Sequence, residues 1–243
     1  MRSAKLHRHG IMNDMLAILY DIHGNRPALE AVLADARSRG ADRFLLGGDY
    51  AAFGAWPVEC VEILRELPED TTWIRGNWER WQAEPEAAPD AEVIAGANAW
   101  VRRALGLGAV DELGGLANKA VVDETLFVHA SPVSDVEPFG REASEDDDQL
   151  LNGVTQPRVV FGHTHVQFER RSASGTELVN AGSVGMPWDG DSRAAYATLD
   201  GDSGVALHRV QYDVEAAAAP LEALGEPWAT VTAARLRAAR FEV

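Results

Sequence analysis

Leu16-Ala-Ile-Leu-Tyr20-Asp21-Ile-His23-Gly24-Asn25 is the stretch from which the rest of this chain can be read. A short apolar run of strand length, Leu16 to Tyr20, stops abruptly at a carboxylate and an imidazole two residues apart. The pattern then repeats outward. Pro27 opens a helical stretch with Leu29, Val32, Leu33 and Ala36 on one face, closed by Gly40. Arg43-Phe-Leu-Leu46 reads as a second buried strand and leads into Gly47-Gly48-Asp49. Pro57 opens another helix carrying Val58, Val61, Ile63, Leu64 and Leu67, and Thr72-Trp-Ile74 is a third short strand that ends at Gly76-Asn77. Strands alternating with amphipathic helices mark an α/β chain.

Beyond this the pattern changes. Residues 82–89 are rich in Ala, Glu and Pro and read as a loop; Ala91 to Leu105 reads as a helix. Strand-like segments follow at 119–123, 125–129, 158–162, 166–171, 176–180, 194–200 and 204–211. Between them, Ser144 is the expected N-cap of a helix over 141–151, with Glu145-Asp-Asp-Asp148 forming a solvated, dipole-matched first turn. The Ala-rich stretch 213–240 is expected to be helical. Residues 1–14, which lack apolar periodicity, are expected to form a disordered leader, and 15–243 a single domain with a helical C-terminal segment.

Composition narrows the classes of function. A formal net charge of −16 over 243 residues repels nucleic-acid backbones and anionic lipids, so polymeric nucleic acid is a disfavoured partner. No apolar run approaches a membrane span, and the N-terminus shows neither a long apolar region nor a small-residue cleavage site, so neither membrane association nor a signal peptide is expected. A single cysteine, Cys60, rules out an intrachain disulfide and a zinc–thiolate site and fits a cytoplasmic location.

The chemistry-bearing residues gather where strands end. They lie in Asp21-Ile-His23-Gly-Asn25, Gly48-Asp49, Gly76-Asn77, Val128-His129-Ala-Ser131 and Gly162-His163-Thr-His165. Carboxyl ends of strands are where open α/β sheets bind ligands. In extended backbone, residues i and i+2 point the same way, so Asp21 and His23 are expected to converge on one cation, and His163 and His165 to sit together. Carboxylate, imidazole and amide ligands without thiolate suit manganese first, with iron, zinc, cobalt or nickel as alternatives. Seven such groups suffice for two divalent cations sharing one carboxylate, which at roughly 3.5–4 Å separation can hold a bridging hydroxide and clamp a phosphate. His7, His9 and His208 fall outside these motifs. Ser131 has no base in triad order, so a serine hydrolase is rejected.

Each motif alone is weak, but taken in order the set resembles the calcineurin-like metallophosphoesterases. Asn180-Ala-Gly-Ser183-Val-Gly185 resembles the small bacterial and archaeal phosphodiesterase branch of that superfamily. The resemblance covers roughly residues 15–200 and implies a four-layer αββα sandwich of two mixed β-sheets flanked by helices. It implies that Asp21, His23 and His165 bind one metal, that Asn77, His129 and His163 bind the second, and that Asp49 bridges them. Asp49, Asn77 and Asn25 become the catalytic candidates, and Asn25, Trp78 and Arg75 the substrate-binding ones; for Asn25 a role as an Asn in a tight turn stands beside that of a phosphate contact.

One departure is informative. Many members continue Gly-Asn with a His that helps the leaving group depart, followed by a carboxylate; here the sequence reads Gly76-Asn77-Trp78-Glu79. Trp78 cannot shuttle a proton, since the indole N–H only donates. The small phosphodiesterase branch also lacks that His. The aromatics Phe53, Trp56, Trp73 and Trp81 are candidates for a stacking wall, against the commoner role of core packing, and Arg75 and Arg80 flank the motif. The expected activity is that of a metal-dependent phosphodiesterase on small or nucleotide-like esters, with a monoesterase less favoured. A non-catalytic scaffold or a nuclease on the same fold are the alternatives. The sequence leaves the oligomeric state open.

Overall fold

The computed structural model describes residues 15–201 and 204–243; the expected leader, with His7 and His9, lies outside the described residues. The first half of the chain runs β1 (Met15–Leu19), α1 (Arg26–Ser38), β2 (Arg43–Leu46), α2 (Pro57–Arg65), β3 (Thr72–Trp73), α3 (Asn77–Ala83) and α4 (Glu92–Gly114). Then come β4 (Lys119–Val122), β5 (Thr125–Val128), α5 (Asp147–Leu150), β6 (Arg158–Phe161), β7 (Phe168–Arg171), β8 (Glu177–Asn180), β9 (Ala194–Asp200), β10 (Val205–Val210), α6 (Val214–Ala223) and α7 (Pro227–Ala238).

These strands form two five-stranded mixed sheets, ordered β10-β9-β1-β2-β3 and β4-β5-β6-β8-β7. Pairing is parallel in the middle of each sheet, β1 with β2 and β2 with β3 in one, β5 with β6 and β6 with β8 in the other. Antiparallel strands complete both edges of the second sheet and the β9–β10 side of the first, whose other edge, β3, is parallel.

The side-chain period of two explains why β1 reads as an unbroken apolar run. Leu16, Ile18 and Tyr20 point between the sheets and meet Leu45, Ile74, Phe127, Val160 and Val179. Ala17 and Leu19 point the other way, against Leu29, Val32 and Leu33 of α1. A strand covered on both faces has no polar side to alternate. On the far face of the second sheet, Phe161 and Leu178 pack with Phe139 and with Leu150 of α5. The expected four-layer αββα sandwich is therefore present, with a thin outer layer on the second sheet because α5 has only four residues.

Several local expectations need correction. α3 occupies residues read as the sequel to a strand; seven residues are too few to show helical periodicity. α4 runs past Leu105 to Gly114 but breaks at Gly106, whose φ of 76° only glycine adopts freely. The acidic run is not simply solvated. α5 begins at Asp147, whose buried carboxylate takes two hydrogen bonds from Arg170 at 2.7 and 2.8 Å, while Ser144 Oγ accepts from Asp146 N (3.2 Å) just ahead of the helix. Trp73 packs edge-on against Tyr50, ring centroids 5.1 Å apart, as a core residue.

Candidate metal centre

The parallel strands of both sheets end at one rim, and all but β8 contribute a candidate ligand. Asp21 and His23 follow β1, Asp49 follows β2, Asn77 follows β3, His129 follows β5, and His163 and His165 follow β6. Convergence does not come from extended backbone, as the i, i+2 argument supposed. Asp21, His23, Asp49, His163 and His165 have φ of 53°, 50°, 60°, 64° and 57°, the left-handed region. A residue other than glycine there costs on the order of 1–3 kcal/mol and persists only when its surroundings impose it. The loops are so imposed. His23 N donates to Asp49 O (2.9 Å), Ser183 Oγ to Asp21 O (2.7 Å) and Gly185 N to Asp21 O (2.9 Å). Asn180 Nδ2 donates to Gly162 O (2.8 Å) and Thr164 Oγ1 (2.9 Å). The Asn180–Gly185 stretch thus clamps both the Asp21 and the His163 loops. Side-chain-free approach matters at Gly76 and Gly162, where a Cβ would run into Asp49 Oδ1 and Asp21 Oδ2 respectively.

Each carboxylate has one oxygen committed and the other facing the centre. Asp21 Oδ2 accepts from His163 N (2.8 Å), whereas buried Oδ1 has no hydrogen-bond partner. Asp49 Oδ1 accepts from Trp78 N (3.0 Å), and its Oδ2 lies 3.3 Å from His129 Nε2 and 3.8 Å from His23 Nε2.

Backbone carbonyls set the histidine tautomers. Nδ1 of His23, His129 and His165 lies 3.2, 2.9 and 2.6 Å from the carbonyl oxygens of Ala52, Gly47 and Met186. A carbonyl only accepts, so each Nδ1 carries a proton, and in the neutral ring Nε2 turns a lone pair inward. His23 Nε2 and His165 Nε2 then oppose each other at 3.0 Å, with Asp21 Oδ1 3.8 and 3.4 Å away. Lone pairs facing one another beside a bare carboxylate oxygen are repulsive unless a cation lies among them. His163 Nδ1 lies 3.0 Å from Asn77 Oδ1, within hydrogen-bond distance, which brings these two side chains together. Two groups therefore have atoms close enough to share an ion, Asp21–His23–His165 and Asp21–Asp49–His129, each within 4.8 Å.

The electrostatics agree. Burial, then the neighbouring His165, pushes His23 down to about 4; burial and His129 do the same to His163, also to about 4. Both are neutral ligands near neutral pH. His129 differs: burial opposes its charge, but Asp49 and then Asp21 overcome this and hold it up at about 10. Without a metal, a proton on His129 takes the cation's place. Asp21 is held well below the usual carboxylate range; burial opposes its ionisation, but His165 and the other imidazoles prevail.

The remaining sequence-predicted residues divide. Trp78 lines a cleft of about 400 Å³ that also exposes His23, Asp49, Asn77, His163 and His165. Phe53 and Trp81 line it too, whereas Trp56 and Trp73 do not. Asn25 is a helix cap, not a substrate contact: its Oδ1 accepts from Ala28 N (3.2 Å) and its Nδ2 donates to Gly185 O (2.7 Å) and Tyr212 Oη (3.3 Å). Arg75 is absent from the cleft lining, and its charge acts on Asp135, which pairs with Arg80 through two 2.6 Å hydrogen bonds. Ser131 Oγ donates to Ser134 O (3.3 Å), consistent with its rejection as a nucleophile. Sequence reasoning missed the function of Glu79, which accepts from Asp49 N, Tyr50 N and Gly76 N; a carboxylate three residues after a helix start was the available signal. It also missed Trp188, stacked on His165 at 3.8 Å, for which the sequence holds no signal.

Comparison with known proteins supports this picture. Residues 16–188 match the calcineurin-like phosphoesterase family. An uncharacterized protein of Methanocaldococcus jannaschii is 28% identical over 228 residues, covering 85% of this chain and 91% of its own. A solved metallophosphoesterase from Sphaerobacter thermophilus is similar at a TM-score of 0.79 and 29% identity, over 93% of this chain and 98% of that one. A hypothetical protein from Pyrococcus horikoshii OT3 shares the fold at a TM-score of 0.76 and 18% identity, over 88% of this chain and 94% of the other. Because the family match spans well over half of its length, this chain belongs to the calcineurin-like phosphoesterases, metal-dependent phosphoric ester hydrolases.

Proposed function

We propose that the protein is a two-metal phosphodiesterase acting on small organic phosphate esters. The observation that carries this reading is the opposition of His23 Nε2 and His165 Nε2 at 3.0 Å beside the unpartnered Asp21 Oδ1. Asp21, His23 and His165 would hold one ion, and Asn77, His129 and His163 the other; Asp49, whose Oδ2 reaches toward both His129 and His23, would be shared between them. Bound there, divalent ions, with manganese the first choice for oxygen and nitrogen ligands, would supply activation of water at neutral pH and offset charge on the phosphoryl oxygens.

The chain's own residues orient and confine. Carbonyl-anchored imidazoles cannot swing away from the centre, and Asn77 offers its amide nitrogen to a phosphoryl oxygen. Trp78, wedged edge-on against Phe53 and Trp81 at 4.5 and 5.2 Å, excludes water from one side and supplies no proton to a departing oxygen. A diester with an acidic leaving group suits such a site better than an alkyl monoester. The net charge of −16 disfavours a polymeric nucleic acid. No helix of the described residues is long and apolar enough to cross a membrane. The lone, buried Cys60 thiol, pushed up by burial, fits a reducing cytoplasm.

The test is turnover of bis(4-nitrophenyl) phosphate by chelator-stripped protein reloaded with manganese, alongside Asp49→Asn and His163→Ala. Metal-dependent turnover that both variants abolish, with the fold intact by circular dichroism, is expected. Metal-independent turnover, or near wild-type rates in either variant, contradicts the reading. A folded, metal-loaded protein inert to every ester would favour the non-catalytic scaffold.

A further inference from the structure

The cleft has two unlike halves. One holds the proposed metal ligands. The other is built from segments far apart in sequence: Trp78 and Trp81 of α3, Val93 and Ile94 of α4, Trp188 after β8, and Phe241 beyond α7. It is preformed. Trp188 stacks on His165 at 3.8 Å, Phe241 lies 4.8 Å from Trp188, and Arg235 of α7 sits with Cζ 4.1 Å over the Phe241 ring while its Nε donates to Phe241 O at 2.9 Å. A column of contacts thus joins a proposed metal ligand to the end of the chain. Phe241 is 52% exposed although it is pinned on two sides, which leaves an aromatic face open at the cleft.

Among the described residues Arg235 is the only charged side chain in this half; the other polar side-chain atoms there are the indole N–H groups, of which those of Trp81 and Trp188 are buried without a partner. A nucleobase or sugar seated there would lose water from its polar edges with little in return, a cost that an apolar group avoids. Because the two halves are continuous, a ligand whose phosphate meets the metal ligands can place its organic part against the aromatic walls; the other opening, at His129, is polar and lined by Arg80, Asn118 and Asp135. A volume of about 400 Å³ for the whole cleft admits a phosphate together with one or two rings.

We propose that this apolar half is the binding site for the organic group of the substrate, and that the substrates are phosphate esters of ring-sized hydrophobic alcohols or phenols, with Ile94, Trp188 and Phe241 determining specificity. This rests on the phosphoesterase reading of the neighbouring centre but replaces the expected nucleotide-like substrate. The C-terminal segment, outside the family match at 16–188, supplies part of the selectivity.

The test is direct binding, independent of turnover. Manganese-loaded full-length protein is titrated calorimetrically with methylphosphonate, phenylphosphonate, 1-naphthylphosphonate and, as a polar counterpart, ribose 5-phosphonate. Affinity should rise at least about tenfold from methyl- to naphthylphosphonate, equivalent to about 1.4 kcal/mol, with the ribose compound no better than methyl. Phe241→Ala and Ile94→Ala should each erase most of that gain, bringing the ratio of naphthyl- to methylphosphonate affinity toward one. Equal affinity along the series, preference for the ribose compound, or undiminished selectivity in both variants overturns the proposal. Hydrolysis of bis(4-nitrophenyl) phosphate is measured in parallel, so a protein that binds selectively but does not turn over would refute the enzymatic reading and leave the binding site standing.

Discussion

Replacing Glu79 with alanine removes one carboxylate and strands three backbone N–H groups. Glu79 is fully buried; its Oε2 accepts from Asp49 N and Gly76 N, both at 2.8 Å, and its Oε1 from Tyr50 N at 2.9 Å. An unpaired buried donor costs about 1–3 kcal/mol, so three cost about 3–9 kcal/mol. Losing the carboxylate also relieves a penalty. Burial first, then the charge of Asp49, pushes Glu79 from the usual 4.5 up to about 7, which destabilises the metal-free fold by about 3 kcal/mol at pH 8. Subtracting that relief leaves about 0–6 kcal/mol for Glu79→Ala at pH 8, and about the full 3–9 kcal/mol at pH 5, where little of the penalty applies. Glu79→Gln should lose less, since an amide oxygen at the Oε2 position retains two of the three bonds. The sign with pH follows from a raised folded pKa. The contribution is fully present below about 4.5 and is lost as pH rises through about 7, so this decline should be absent in the alanine variant. Urea unfolding of metal-free protein at pH 5 and pH 8, with manganese titration calorimetry, measures both stability and the slackening of the Asp49 loop. An alanine variant within about 0.5 kcal/mol of wild type at pH 5, the range of an ordinary surface substitution, and with undiminished manganese affinity, would refute the reasoning.

Without an imidazole at Trp78, rates should fall steeply as the leaving group becomes less acidic, with alkyl esters about 10²–10⁴-fold behind what a positioned acid would give. Trp78→His should recover part of that deficit, and a flat dependence in the wild type with chemistry rate-limiting would mean that another residue supplies the proton. Metal loading should release at least about one proton per chain at pH 8, because His129, held at about 10 by Asp49 and Asp21, must lose its proton to bind a cation and an ionised metal-bound water would add a second, whereas His23 and His163 at about 4 are already neutral. Calorimetry in buffers of different ionisation enthalpy reads this release, and enthalpies independent of buffer would contradict it. Trp188→Ala should weaken manganese binding by loosening His165 while leaving the unfolding midpoint of metal-free protein little changed; wild-type affinity would show the stack to be incidental.

The sheets were legible because β1, β2 and β6 are apolar on both faces, a pattern that survives without tertiary context. The candidate ligands were legible because each lies just past the end of a strand. What the sequence concealed is long-range or conformational. Nothing about Trp188 or Phe241 reveals that they meet beside His165, across segments that pair only once folded. The left-handed backbone at Asp21, His23, His163 and His165 is imposed by the Asn180–Gly185 clamp, so an argument from extended geometry reached the right convergence for the wrong reason. Asn25 and Arg75 lie near the motifs in sequence, but Asn25 is taken up by capping α1 and Arg75 does not line the cleft.

The central claim is that these side chains hold two ions per chain. Elemental analysis of protein saturated with manganese, together with anomalous diffraction at the manganese edge, measures this directly. The account predicts two manganese ions per chain, one between Asp21, His23 and His165, the other beside Asn77, His129 and His163, with Asp49 touching both. A single ion at full occupancy under saturating metal, the other ligand set still empty, would contradict it.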